Sequence, residues 1–194
     1  MKKISLILGV LMMIVIGFSS CGSDDDNGPV GTPKTEEFSY TYKIPIQGIA
    51  DNKQSPPATT LEFKSLMGDK ADTFVAGQFQ RGKCSIEVEG LKDISETVVL
   101  KDFKINVGNR GWANLGNCKT NGSVLTEFIC DYEHTSDTYT NIVKYVFDDL
   151  VGNSKKSSVA IEFTPNETFI TENSEVYLNI KVTGLMTYKI YPEN

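Results

Sequence analysis

The chain has one histidine, His134, in the polar run Glu133-His134-Thr135-Ser136-Asp137. A hydrolytic triad would need it as the base, but triad members normally converge from separate segments, and Ser136 and Asp137 are its near neighbours. An exposed loop histidine is the plainer reading. Paired carboxylates could serve glycoside hydrolysis. Glu87 and Glu89 share one face of an alternating run, and Asp148 and Asp149 are adjacent. Nothing around either pair signals a cleft, so each reads as a solvated face. Zinc needs clustered Cys and His ligands, which the scattered thiols and lone histidine do not supply. No glycine-rich phosphate loop is present. No catalytic residue, metal site or cofactor is expected. Trp112, the only tryptophan, stands just past a turn signal. It reads as a core lid or corner residue, with ligand stacking as the other role open to it.

The amino terminus carries the strongest signal. Lys2 and Lys3 precede an apolar run from Ile4 to Phe18 that ends in small residues. That is the order of a secretory signal peptide, and about 15 apolar residues fall short of the roughly 20 a membrane span needs. Ser19-Ser20-Cys21 closes the run and resembles the lipobox of bacterial lipoproteins, with Phe18 where that family usually has Leu. The resemblance implies that Cys21 is acylated and becomes the first mature residue. Ser23-Asp24-Asp25-Asp26 is similar to the acidic export signal of surface lipoproteins in Bacteroidetes. It implies an outer-membrane, surface-exposed address. As a cage for calcium, aspartates on a polar tether would be poor. The expected organisation is a signal peptide at 1–20, an acylated tether at 21–35 and one domain at 36–194.

Without its first 20 residues the chain keeps 194 − 20 = 174 residues, 19 − 2 = 17 basic and 25 acidic, a net charge of −8. An acidic chain without a basic cluster argues against nucleic acid as a partner. Three cysteines remain beside Cys21. Asn121-Gly122 can reverse the chain between Cys118 and Cys130, which makes them the expected disulfide, with Cys84 the free thiol beside Ile86 and Val88. A bridge from Cys84 to either partner is the rival pairing.

These features need elements to position them. Phe38 to Ile46 alternates apolar and polar, with Pro45 marking an edge strand. Strands are also expected at Thr60–Leu66, loosely at Thr73–Phe79, at Lys83–Glu89, and at Thr97–Val107 with Lys101 out of phase. Gly108-Asn109-Arg110-Gly111 turns the chain. A short strand at Val124–Ile129 follows. Asn141–Val151 repeats its apolar residues at helical spacing, with Asn141 as N-cap and Gly152 after its end. Val159–Phe163 alternates, and so does the long run from Val176 through Ile190, where a bend or bulge is expected at Gly184.

About eight strands and one helix near 141–151 imply a mainly β, single antiparallel sandwich. An immunoglobulin-like topology is the default, with a closed barrel as runner-up. The function this supports is a lipid-anchored, non-enzymatic surface module that binds a glycan or a protein, or serves as structure. The alternatives are a carboxylate-dependent hydrolase and a carrier for an apolar ligand. An acidic pair inside a concave pocket would favour the hydrolase, and an empty apolar cavity of a few hundred Å³ the carrier.

Overall fold

The computed structural model describes residues 33–47, 49–91, 98–122, 124–130, 135–168 and 176–191. The strands are β1 (Lys34–Ile46), β2 (Thr59–Glu62), β3 (Phe74–Glu89), β4 (Val99–Val107), β5 (Trp112–Asn121), β6 (Val124–Cys130), β7 (Lys156–Pro165) and β8 (Val176–Ile190). Helix α1 (Phe63–Met67) and a 3₁₀ turn (Gly68–Ala71) connect β2 to β3, and helix α2 (Thr135–Val151) connects β6 to β7. All eight strands lie in one antiparallel sheet, ordered β1-β8-β3-β6-β5-β4-β7-β2. The sheet curls until its edges β1 and β2 approach each other, giving a nearly closed, barrel-like form. The mainly antiparallel β expectation holds, and the barrel-like alternative describes its shape.

Alternation decides which side of each strand faces in. Tyr42, Ile44, Leu178, Ile180, Ile105 and Ile161 are all buried, while their chain neighbours Lys43, Asn179, Lys104 and Glu162 face outward. Helix α2 lies against the inward face. Its buried stripe runs Ile142, Val143, Val146, Phe147, Leu150 at helical spacing. Half-buried Tyr139 extends that stripe one turn earlier, so the helix starts at Thr135, not Asn141. Asn141 is an exposed mid-helix residue, not a cap. Asp137 puts a negative charge in the first turn, where the helix dipole favours it.

Other expectations change, and the phase break at Lys101 gains its cause. Only the first half of Thr60–Leu66 is a strand. Phe63 and Met67, four apart and both buried, instead turn the rest into α1. Thr73–Phe79 and Lys83–Glu89 belong to one strand, β3, joined through a register shift between Phe79 and Arg81. Lys101 is out of phase because β4 has an irregularity beside it. Asp102 adopts φ 52°, and Phe103 then resumes the inward phase that Leu100 left. Finally, β8 runs unbroken through Gly184 and pairs with β1 without a shift. The bulge sits opposite it, in β3, facing Leu185 and Met186. Strand β1 begins at Lys34, two residues inside the expected tether, and forms a sheet edge as Pro45 implied.

Glycine has a packing role at the helix–sheet contact. Gly82 of β3 and Gly184 of β8 are direct cross-strand partners. A Cβ on Gly82 would lie 2.5 Å from Cγ1 of Val143, and one on Gly184 would meet the ring of Phe147, 2.9 Å from its Cζ. The pair forms a notch that seats α2 on the sheet.

Candidate functional site

The outward face of β4, β5 and β7 carries the exposed aromatic ring. Trp112 opens β5 and points away from the core because Ala113 and Leu115 take the inward phase; it is 45% exposed. It is therefore not a core lid; of the expected roles it keeps the corner position, at the start of β5 just past the turn at 108–111. Register places Asn106 opposite Trp112 on one side and opposite Ala160 on the other. One step along, Lys104 stands opposite both Asn114 and Glu162. These six residues make two rows of three. Glu162 pairs with Lys53 at 2.7 Å. Asn114 Oδ1 accepts the Gly116 N–H at 2.9 Å, which fixes that side chain at the β5 irregularity. The Asn106 Oδ1 is buried and has no hydrogen-bond partner among the described residues.

The carboxylates singled out in the sequence do not converge on a cleft. Glu87 stands opposite Glu127 on the outer face. Glu89 accepts from the Lys43 ammonium at 2.9 Å and the Asn179 amide at 3.2 Å, and these donors hold its carboxyl below the usual range. Asp148 pairs with Lys144 at 2.6 Å, and Asp149 with Arg110 at 2.6 Å. The Arg110–Asp149 pair borders a shallow polar cleft of about 710 Å³. Lys156, on the same cleft, is bound to Glu62 at 2.8 Å, so the cleft's charges are already matched.

Between α2 and the inward faces of β4 and β5 lies a slot of about 190 Å³, with Ile105, Val107 and Ala113 on one wall and Ile142 and Tyr145 on the other. That is below the roughly 300 Å³ at which ligand pockets begin.

The structure brings Cys118 and Cys130 together. They are direct partners across β5 and β6, with sulfurs 2.02 Å apart in a disulfide. Their Cα atoms are 3.8 Å apart, below the roughly 4.4–6.8 Å usual for such bonds. Cys84 is the free thiol, and burial pushes its pKa up to about 12. Cys21, Ser23, Asp24, Asp25, Asp26 and His134 lie outside the described residues, as does the side chain of Ser136. Lys104, Asn106, Asn114 and Glu162, the candidate residues of this face, were not singled out in the sequence. Their signal was their outward phase beside Trp112, visible only once β4, β5 and β7 are known to be neighbours.

Fold and site together define a nearly closed antiparallel β-barrel that carries an aromatic and amide-bearing outer face. No protein-family model matches the chain, and no curated protein matches it. Among the solved structures that match are two viral chains. One is a chain from the structure of infectious bursal disease virus Gx strain, with 6% identity and a TM-score of 0.27, covering 85% of this chain and 38% of the viral one. The other is a Desmodium yellow mottle tymovirus chain, with 11% identity and a TM-score of 0.27, covering 90% of this chain and 98% of the viral one. Likeness at that level carries no functional inference.

Proposed function

We propose that the protein is a lipid-anchored outer-membrane protein, exposed at the cell surface, whose barrel-like domain is a non-enzymatic binding module for a glycan or a protein. The address rests on the Ser19-Ser20-Cys21 lipobox resemblance and on Asp24 to Asp26. The observation that carries the binding reading is Trp112, a large apolar ring left 45% exposed on the sheet's outer face. The part of the ring left in water forgoes the stabilisation that burial gives apolar surface. Its exposure fits a surface kept for contact.

The alternatives find less support. A carboxylate-dependent hydrolase would use an acid pair in a concave pocket, whereas Glu89, Asp148 and Asp149 are each bound to a cation. A carrier for an apolar ligand would use interior space beyond the 190 Å³ slot beside α2.

The test is fractionation of cells producing the wild-type chain or Cys21→Ala, with protease added to intact cells. The proposal expects wild type in the outer-membrane fraction and cleaved from outside, and Cys21→Ala released from membranes. Retention of Cys21→Ala in the membrane, or wild type fully protected in intact cells, would sink the address. The binding half is read by a glycan array and a pull-down with the solubilised full chain. Silence in both leaves only a structural role.

A further inference from the structure

We propose that the outer face of β4, β5 and β7 is a carbohydrate site: one pyranose ring of a neutral glycan stacks on the Trp112 indole, and its hydroxyls bond to Asn106, Lys104 and Glu162. The inference rests on the binding-module reading above and specifies its ligand class and residues.

The register sets the dimensions. Trp112, Asn106 and Ala160 form one row across three strands, and Asn114, Lys104 and Glu162 form the next. Strands lie about 4.8 Å apart and like-facing residues about 6.6 Å apart along a strand, so the grid measures about 10 by 7 Å. That is the footprint of one sugar ring with its hydroxyls. The first row offers an aromatic face, and Ala160 leaves room beyond it because its side chain ends at Cβ. Such a surface suits the C–H face of a pyranose. The second row offers the hydrogen-bonding groups a polyol needs: three donors on the Lys104 ammonium and acceptor oxygens on the Glu162 carboxylate.

Asn106 gives an independent pointer. Its Oδ1 is buried between the Trp112 and Ala160 positions without a partner among the described residues. A buried acceptor without a donor is unfavourable, and a ligand hydroxyl reaching it would supply the missing hydrogen bond.

Charge and area select the occupant. Lys104 and Lys53 flank Glu162 on a chain of net charge −6, which favours neither a polyanion nor a strongly cationic ligand. A stable protein interface needs about 1,000 Å² with several apolar anchors. Here the described residues offer one exposed ring. The other exposed large apolar residues stand elsewhere: Leu125 and Ile129 on β6, Val75 and Tyr191 at the far end of β3 and β8, and Ile49 in the loop after β1. A neutral glycan is the ligand that one ring and a polar row can hold.

Because Trp112 is the chain's only tryptophan, its fluorescence reports this face alone. The purified full chain in detergent is titrated with maltohexaose, cellohexaose, mannohexaose and chitohexaose. The expected result is a saturable change in tryptophan emission with at least one of them. Calorimetry with the same sugar should show affinity reduced at least 10-fold by Trp112→Ala and by Lys104→Ala, with unchanged melting temperatures. Should Trp112→Ala misfold, Lys104→Ala alone decides, since its side chain lies on the surface. No saturable change with any of the four sugars overturns the site. So does binding that survives both substitutions, because the sugar then sits elsewhere. In the second case the broader binding-module reading stands; in the first it stands only if a protein ligand is captured at the cell surface.

Discussion

Phe147 fills the space that any side chain at position 184 would occupy, and it also packs against the rings of Phe38 and Phe79 at centroid distances of 6.5 and 5.7 Å. Truncating it leaves a cavity that Gly184 cannot fill. Phe147→Ala should therefore cost about 3–5 kcal/mol, read by urea unfolding. A loss below about 1 kcal/mol would show that α2 is not seated in the glycine notch. Cys84 makes a second prediction. Its thiol is raised from 9.0 to about 12 by burial, so it stays neutral in the folded chain at pH values where the unfolded chain has ionised it. The folded pKa is the higher one, so its contribution to stability is full below about pH 9 and is lost as pH rises toward 12. Tyr139, likewise raised to about 12 by burial, acts in the same direction above the ordinary phenol value of 10.0. Unfolding free energy should fall steeply above pH 9, and Cys84→Ala should flatten the first part of that fall. An identical profile in Cys84→Ala would remove the thiol from the account. At this scale the sequence was partly legible. The phase break at Lys101 was visible, and its cause, the positive φ of Asp102, was not. The core-lid role of Trp112 failed because one residue's exposure depends on which strands lie beside it.

The β5–β6 hairpin shows what an element inherits from local code. Asn121 closes β5 opposite Val124 just before Gly122, the two strands pair, and Cys118 meets Cys130 with 12 residues of separation. Closing so short a loop stabilises by about 3 kcal/mol in the chain-entropy view. Urea unfolding with and without reductant should show a loss of that size, and the double substitution Cys118→Ala, Cys130→Ala should match the reduced form. A reductant-insensitive midpoint would mean the bond does not form in solution. Helix α2 was legible from its apolar spacing, but its first turn was not. Tyr139 continues the stripe at a helical interval from Ile142 and Val143, yet it stands in a run of Thr, Ser and Asp that reads as loop. Phe63–Met67 misled in the opposite way. A short apolar pair after a strand continues the strand's pattern unless one knows that both residues are buried four apart on a single helical turn.

The whole molecule depends on long-range pairings that local patterns do not encode. Alternation predicted nearly every strand, yet a sandwich and a barrel-like sheet share the same alternation. Only the order β1-β8-β3-β6-β5-β4-β7-β2 distinguishes them, and it rests on contacts far apart in sequence. The proposed address is tested at the same scale. Replacing Asp24, Asp25 and Asp26 together by Ala should leave the chain membrane-bound but shield it from protease added to intact cells, and undiminished cleavage would remove the export role of those residues. The position of β8 also bears on how the chain reaches its final form. Lys34 pairs with Tyr188, and β8 lies between β1 and β3 although it is the last of the described strands in chain order. Neither β1 nor β3 can complete its pairing until that strand arrives, so completion of the sheet waits, for β1, on a closure spanning about 150 residues, an entropic cost met late. Refolding should accordingly run in the slow, millisecond-to-second regime of sheets built from distant pairings. During that wait the inward faces of β1 and β3 stay open to solvent and to chaperones.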